Sequence, residues 1–81
     1  MKNKEQIIKE INIIFMDVLD DEDIVISEST TSDDVDDWDS LNHIHLVVAI
    51  EKHFKIRFTS EEIQSWKDVG EMIINMQEKG V

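Results

Sequence analysis

Ile7, Ile8, Ile11, Ile14, Phe15, Val18 and Leu19 recur at the three- and four-residue spacing that puts side chains on one face of a helix, so residues 4 to 19 are expected to form an amphipathic first helix. The same period returns twice further along, and proline is absent from all 81 residues, which favours helices joined by short connections. A chain of this length suffices for one domain, residues 1 to 81, around one modest core, and not for a deep enclosed active site. Chemistry is therefore expected to be borrowed from a partner or a prosthetic group. Cysteine is absent, so neither a disulfide framework nor a thiolate metal site is possible. The chain starts without a basic-then-apolar signal segment and contains no apolar run long enough to span a bilayer, so a cytoplasmic protein without membrane insertion is expected.

Charge is distributed unevenly. The formal net charge is −11; between Lys9 and Lys52 there is no lysine or arginine, while 13 of the 19 acidic residues fall in that interval. Such a field repels nucleic acid and anionic membrane and attracts proteins with basic patches, although acids also serve simply to keep a small protein in solution.

From Asp20 to Asp39 the chain is rich in Asp, Ser and Thr, with Ile24, Ile26, Val35 and Trp38 as isolated apolar residues. This reads as a long ordered loop pinned to the core at those four points, and long loops in compact domains are commonly functional. A second helix is expected from Asp39 or Ser40, either of which can be the N-cap, to Phe54. Ile56 and Phe58 alternate with Lys55 and Arg57, so the next connector should be extended with two side chains inward. Thr59-Ser60-Glu61-Glu62 fits a capping box that opens a short helix ending near Ser65. Trp66, Val69, Met72, Ile73 and Met76 give a last helix its buried stripe, with Ser65 as a candidate cap and Gly80 as the stop. The expected fold is all-α: a four-helix bundle of three longer helices and one short one, with the long loop between the first two.

The second helix carries two apolar arcs. At about 100° per residue, His43, Leu46, Val47, Ile50 and Phe54 share one side, while Leu41, Ile44 and Val48 lie nearly opposite. Both cannot face the core of so small a bundle, so one stripe should be exposed and rimmed by Asp39, Glu51 and the acids of the preceding loop. An exposed apolar strip with an acidic rim has the anatomy of a partner-binding surface. Ser40 stands where the loop meets the helix N-terminus, among unpaired amides that suit a phosphate group; from position alone, a serine there is ordinarily a cap.

Asp39-Ser40-Leu41, followed by Leu46-Val47 and Ile50-Glu51-Lys52-His53-Phe54, resembles the phosphopantetheine-attachment region of acyl carrier proteins. The resemblance continues through Ile56, Thr59-Ser60-Glu61-Glu62-Ile63 and Trp66-Lys67-Asp68-Val69-Gly70-Glu71-Met72-Ile73, and so covers most of the chain from Trp38 onward. It implies a carrier and not an enzyme, with 4'-phosphopantetheine joined covalently to Ser40 and acyl groups borne as thioesters on the arm. It implies that Asp39 helps position the modifying enzyme and its metal ion, that Leu41, Ile44, Val48 and Glu51 meet partner enzymes, and that Leu46, Val47, Ile50 and Phe54 line an interior where cargo shelters. The implied partners are a phosphopantetheinyl transferase and acyl-loading and acyl-processing enzymes, met by a monomeric carrier. Trp38 stands where the family commonly has Gly or Ala, and Asn42, His43, His45, Lys52 and His53 interrupt its usual acidic second helix. In this the chain looks more like discrete carriers of polyketide, aminoacyl or cell-envelope assembly than like those of fatty-acid synthesis.

Other readings compete. Ser40 and His43 lie one turn apart, as a hydrolase pair would, but the chain hardly encloses an oxyanion site and a substrate pocket. Asp33, Asp34, Asp36, Asp37 and Asp39 suggest a cation site, yet the run lacks the EF-hand order of glycine and glutamate. His43 and His45 point to different sides of one helix, which argues against zinc. An acidic helical interaction module that is never modified remains the alternative to a carrier.

Overall fold

The computed structural model describes residues 3–35 and 37–81, and within them the expected four helices form: α1 Lys4–Leu19, α2 Ser40–Phe54, α3 Ser60–Ser65 and α4 Val69–Glu78. Asn3 starts α1 through a capping box, its side chain accepting from the Gln6 amide at 2.9 Å while the Gln6 side chain accepts from the Asn3 amide at 3.1 Å. Asp20 ends the helix in the left-handed region (φ 52°), which short polar side chains tolerate better than most. Ile7, Ile11, Phe15, Leu46, Ile50, Val69, Met72, Ile73 and Met76 are the fully buried residues, so α1, α2 and α4 build the core. No helix among the described residues is long and apolar enough to cross a membrane.

The loop from Asp20 to Asp39 is held at named points. Asn12 of α1 acts as a strut: its side-chain amide donates to the Ile24 carbonyl at 3.0 Å and its oxygen accepts from the Ile26 amide at 2.7 Å. That bond pair holds Ile24 and Ile26, which are buried; Trp38 is a third buried anchor further on, with Val35 packed against the core edge. The loop also supplies α4 with the partners its first turn lacks. The Val69 amide donates to the Thr30 carbonyl at 2.9 Å and the Gly70 amide to the Glu28 carbonyl at 2.8 Å.

Two boundaries differ from expectation. Ser65 does not cap the last helix; Asp68 does, accepting from the Glu71 amide at 2.9 Å, and Trp66 lies in the connector before it. Serine and aspartate are comparable caps, and the residues between Ser65 and Asp68 are needed to turn the chain, so the helix starts only at Asp68. Lys55 is left-handed (φ 58°), closing α2, so the extended stretch starts after it. Ile56 and Phe58 pack against the core as expected, and Gly80 follows α4 with positive φ (95°).

Candidate functional site

Asp39, not Ser40, caps α2: its Oδ1 accepts from the Asn42 amide at 2.8 Å, and its backbone carbonyl accepts from His43. Ser40 is therefore the first helical residue, exposed, and among the described residues no group is hydrogen-bonded to its hydroxyl. The Asn42 side chain donates to the Asp37 carbonyl at 2.7 Å, fixing the approach of the loop to the helix start. The local sequence thus presents a free hydroxyl at the positive end of a fifteen-residue helix, where anionic groups are favoured.

The two arcs of α2 separate as their spacing requires. Leu46, Val47 and Ile50 are buried, whereas Leu41, Ile44 and Val48 are 64, 58 and 42 % exposed, leaving an apolar strip that starts one residue after Ser40. Exposed Asp33, Asp34, Asp37 and Asp39 lie in or at the end of the loop that leads to this strip. Glu51 is placed differently from a simple rim residue. One of its oxygens accepts from the Phe58 amide at 2.9 Å, so it also fastens the connector to α2.

A groove of about 840 Å³ opens beside Ser40, between the start of α2, α3 and the connector to α4. Trp38, His43, Ile44, Ile63 and Trp66 are among its walls. His43 is committed on both ring nitrogens. The Trp38 indole can only donate, so His43 Nδ1 accepts from it at 3.0 Å, and Nε2 must carry the proton it offers to the Ile63 carbonyl at 3.3 Å. This leaves His43 no nitrogen with which to take a proton from Ser40, so the pair lacks what nucleophilic catalysis needs. The Trp66 indole nitrogen is buried and has no hydrogen-bond partner among the described residues.

His45 is exposed on α2, and His53 pairs with Glu10 of α1 at 3.0 Å, so the three histidines do not converge. Asp34 is engaged by the Thr31 amide and hydroxyl and Asp39 by its cap, while Asp36 lies outside the described residues. Among the described residues no three His, Cys, Asp or Glu gather to hold a metal ion. The groove's Trp38–His43–Ile63 linkage was not foreseen from the sequence, although His43 on the inward arc next to an anchored Trp38 was its signal.

No protein-family model matches the chain, and no curated protein does. Among solved structures, the chain is similar to a holo acyl carrier protein from Geobacter metallireducens, determined in solution by NMR. The two share 39 % sequence identity with a TM-score of 0.83, over 89 % of this chain and 83 % of that one.

Proposed function

The chain belongs to the acyl carrier protein family, and from that premise we propose that it carries acyl groups on a 4'-phosphopantetheine arm joined through a phosphodiester to Ser40, without catalysing a reaction itself. When bound, the arm supplies a terminal thiol on which acyl groups are held as thioesters. The observation that carries this reading is the division of labour at the helix start: Asp39 does the capping, which frees the Ser40 hydroxyl for modification. The residues present fit such a group. The helix N-terminus suits its phosphate, and the adjacent groove offers the arm a bed.

The exposed strip Leu41, Ile44 and Val48 is the surface that partner enzymes would read, first the phosphopantetheinyl transferase and then loading and processing enzymes. Asp39, exposed beside Ser40, would orient the transferase and its metal ion. The acidic field of the preceding loop steers encounter with basic partners and leaves affinity modest, which suits a carrier that must release each enzyme. Tethering cargo to one small domain raises its effective concentration at each successive active site. Trp38 and the histidines of α2 favour a specialised polyketide, aminoacyl or cell-envelope pathway over fatty-acid synthesis.

Intact mass after incubation with coenzyme A and a broad-specificity phosphopantetheinyl transferase tests the reading. One phosphopantetheine should add to the native chain and none to Ser40→Ala. A folded native chain that gains no mass would instead be an unmodified interaction module.

A further inference from the structure

The exposed arc of α2 does not end at Val48. At about 100° per residue, Lys52 and Lys55 fall within the arc of Leu41, Ile44 and Val48, and both are exposed. Arg57, exposed in the connector, joins them: Val48, Glu51, Lys52, Lys55 and Arg57 border one surface depression. Three cations stand there against one carboxylate, and Glu51 already gives an oxygen to the Phe58 amide. At the other end of the strip the exposed charges are Asp33, Asp34, Asp37 and Asp39. The surface beside Ser40 is therefore two-signed, with its poles about 20 Å apart along the helix.

These three cations are not consumed inside the fold. The ion pairs among the described residues use Lys4, His53 and Lys79, and include none of the three. Cations in a last helical turn complement the helix dipole, which accounts for Lys52. The dipole does not account for Arg57, two residues past the cap, or for a lysine at φ 58°, where glycine or asparagine is usual. Of the eight lysines and arginines in the chain, three lie between residues 52 and 57. Charges about 20 Å away lie beyond the Debye length of about 8 Å at physiological ionic strength, so the acids of the far pole do not cancel this one.

A second copy turned about a two-fold axis would bring unlike poles together, but two chains of net charge −11 repel each other as wholes. A partner of different sequence escapes that repulsion. Resting on the reading of the α2 strip as the surface that partners meet, we infer that the enzyme served by this carrier has a two-signed docking face: basic beside the entrance for the arm, and acidic about 20 Å away, where it meets Lys52, Lys55 and Arg57. A uniformly basic face would meet like charge at that end. The cationic pole thus fixes the direction in which α2 lies on its partner and turns away enzymes built for a wholly acidic helix.

Two synthetic helical peptides with the same leucine stripe serve as probes, one with lysine along its whole length, the other with lysine in one half and glutamate in the other. Each is titrated into the full ¹⁵N-labelled chain without its arm at physiological ionic strength, so the outcome is read apart from the mass test of Ser40. The two-signed peptide should shift amides at both poles, from Asp39 to Ile44 and from Lys52 to Arg57; the lysine peptide should shift the first set alone. Lys52→Glu combined with Arg57→Glu should weaken the two-signed peptide by about threefold or more and tighten the lysine peptide. Arg57→Glu alone, which leaves α2 untouched, should move both affinities in the same directions by less. Lys9→Glu, an exposed change on α1, should leave the affinity of the two-signed peptide as it is. A two-signed footprint confined to the acidic pole, an affinity indifferent to the reversals, or an equal loss in Lys9→Glu would each overturn the inference. Strip shifts that grow with protein concentration in the absence of peptide would also overturn it, by naming a second copy of the chain as the occupant. If neither peptide moves a strip amide, the reading of α2 as the partner surface falls, and the inference with it.

Discussion

The Trp38 indole donates to His43 Nδ1 at 3.0 Å, with the two rings stacked 25° from parallel and 5.9 Å between centroids, so the last anchor of the long loop is fastened to the first turns of the helix that carries Ser40. Trp38 also meets Phe15 of α1 edge-on at 5.0 Å. The position of Ser40 is therefore set by the core and not only by the loop.

Replacing His43 by Phe keeps a ring in the row but leaves the Trp38 indole without its acceptor and the Ile63 carbonyl without its donor. An unsatisfied buried polar group costs about 1–3 kcal/mol, and in a domain of this size each kcal/mol lowers the melting temperature by about 4–8 °C. Thermal and urea melts of His43→Phe should show that loss. An unchanged midpoint would mean that the bond contributes nothing net.

The helices were legible because each announces itself twice, by a 3.6-residue period and by a cap such as Thr59 with Glu62. The two faces of α2 were legible for the same reason, since Leu41, Ile44 and Val48 cannot share an arc with Leu46, Val47 and Ile50. What spacing could not reveal is pairing over distance. Asn12 reads as an ordinary polar residue on a helix until Ile24 and Ile26 are laid beside it, and Trp66 reads as a helical core residue until Asp68 takes the cap. Ser65 and Asp68 are both good caps by type, and only the path of the chain between α3 and α4 decides between them.

Ile44 is 58 % exposed on the strip beside Ser40, so changing it to Ser removes apolar contact area without touching the core. The stability of Ile44→Ser should stay within about 0.5 kcal/mol of native, as exposed substitutions usually do. The rate of modification by the transferase should fall, and more salt should slow the native protein as well, because the acidic field is screened. Modification rates followed by intact mass at two ionic strengths check both; unaltered rates would place the partner surface elsewhere.

Gly70 sits in the first turn of α4, where alanine would ordinarily be preferred by about 0.5–1 kcal/mol. Here a Cβ would stand 3.0 Å from the Glu28 carbonyl oxygen, the same atom that accepts the Gly70 amide at 2.8 Å. Making room pushes the loop off the helix and lengthens that bond, so the usual gain should be reversed. Gly70→Ala is expected to melt below the native protein, with faster hydrogen exchange at the Val69 and residue-70 amides. A more stable Gly70→Ala would show that the loop yields without loss.

Glu62 stitches α3 to α4. Its carboxylate accepts from the Thr59 amide at 2.8 Å and from the Asn75 side chain at 2.9 Å, and meets Lys79 Nζ at 3.0 Å. The Thr59 backbone bond first, then the bonds from Lys79 and Asn75, lower its pKa from an ordinary 4.5 to about 2. Because the folded value lies below the unfolded one, the ionised carboxylate adds stability that is fully present above the ordinary value and lost as pH falls from 4.5 through about 2. Relief of repulsion among the other acids acts in the opposite sense over the same range, so the comparison must be with a variant that retains them. Glu62→Gln retains them, keeps an oxygen for Thr59 and removes the charge. The native chain should melt above Glu62→Gln at neutral pH, and the gap should close as the pH is lowered through that window. A gap that stayed constant with pH would mean that the shape of the side chain, and not its charge, joins α3 to α4.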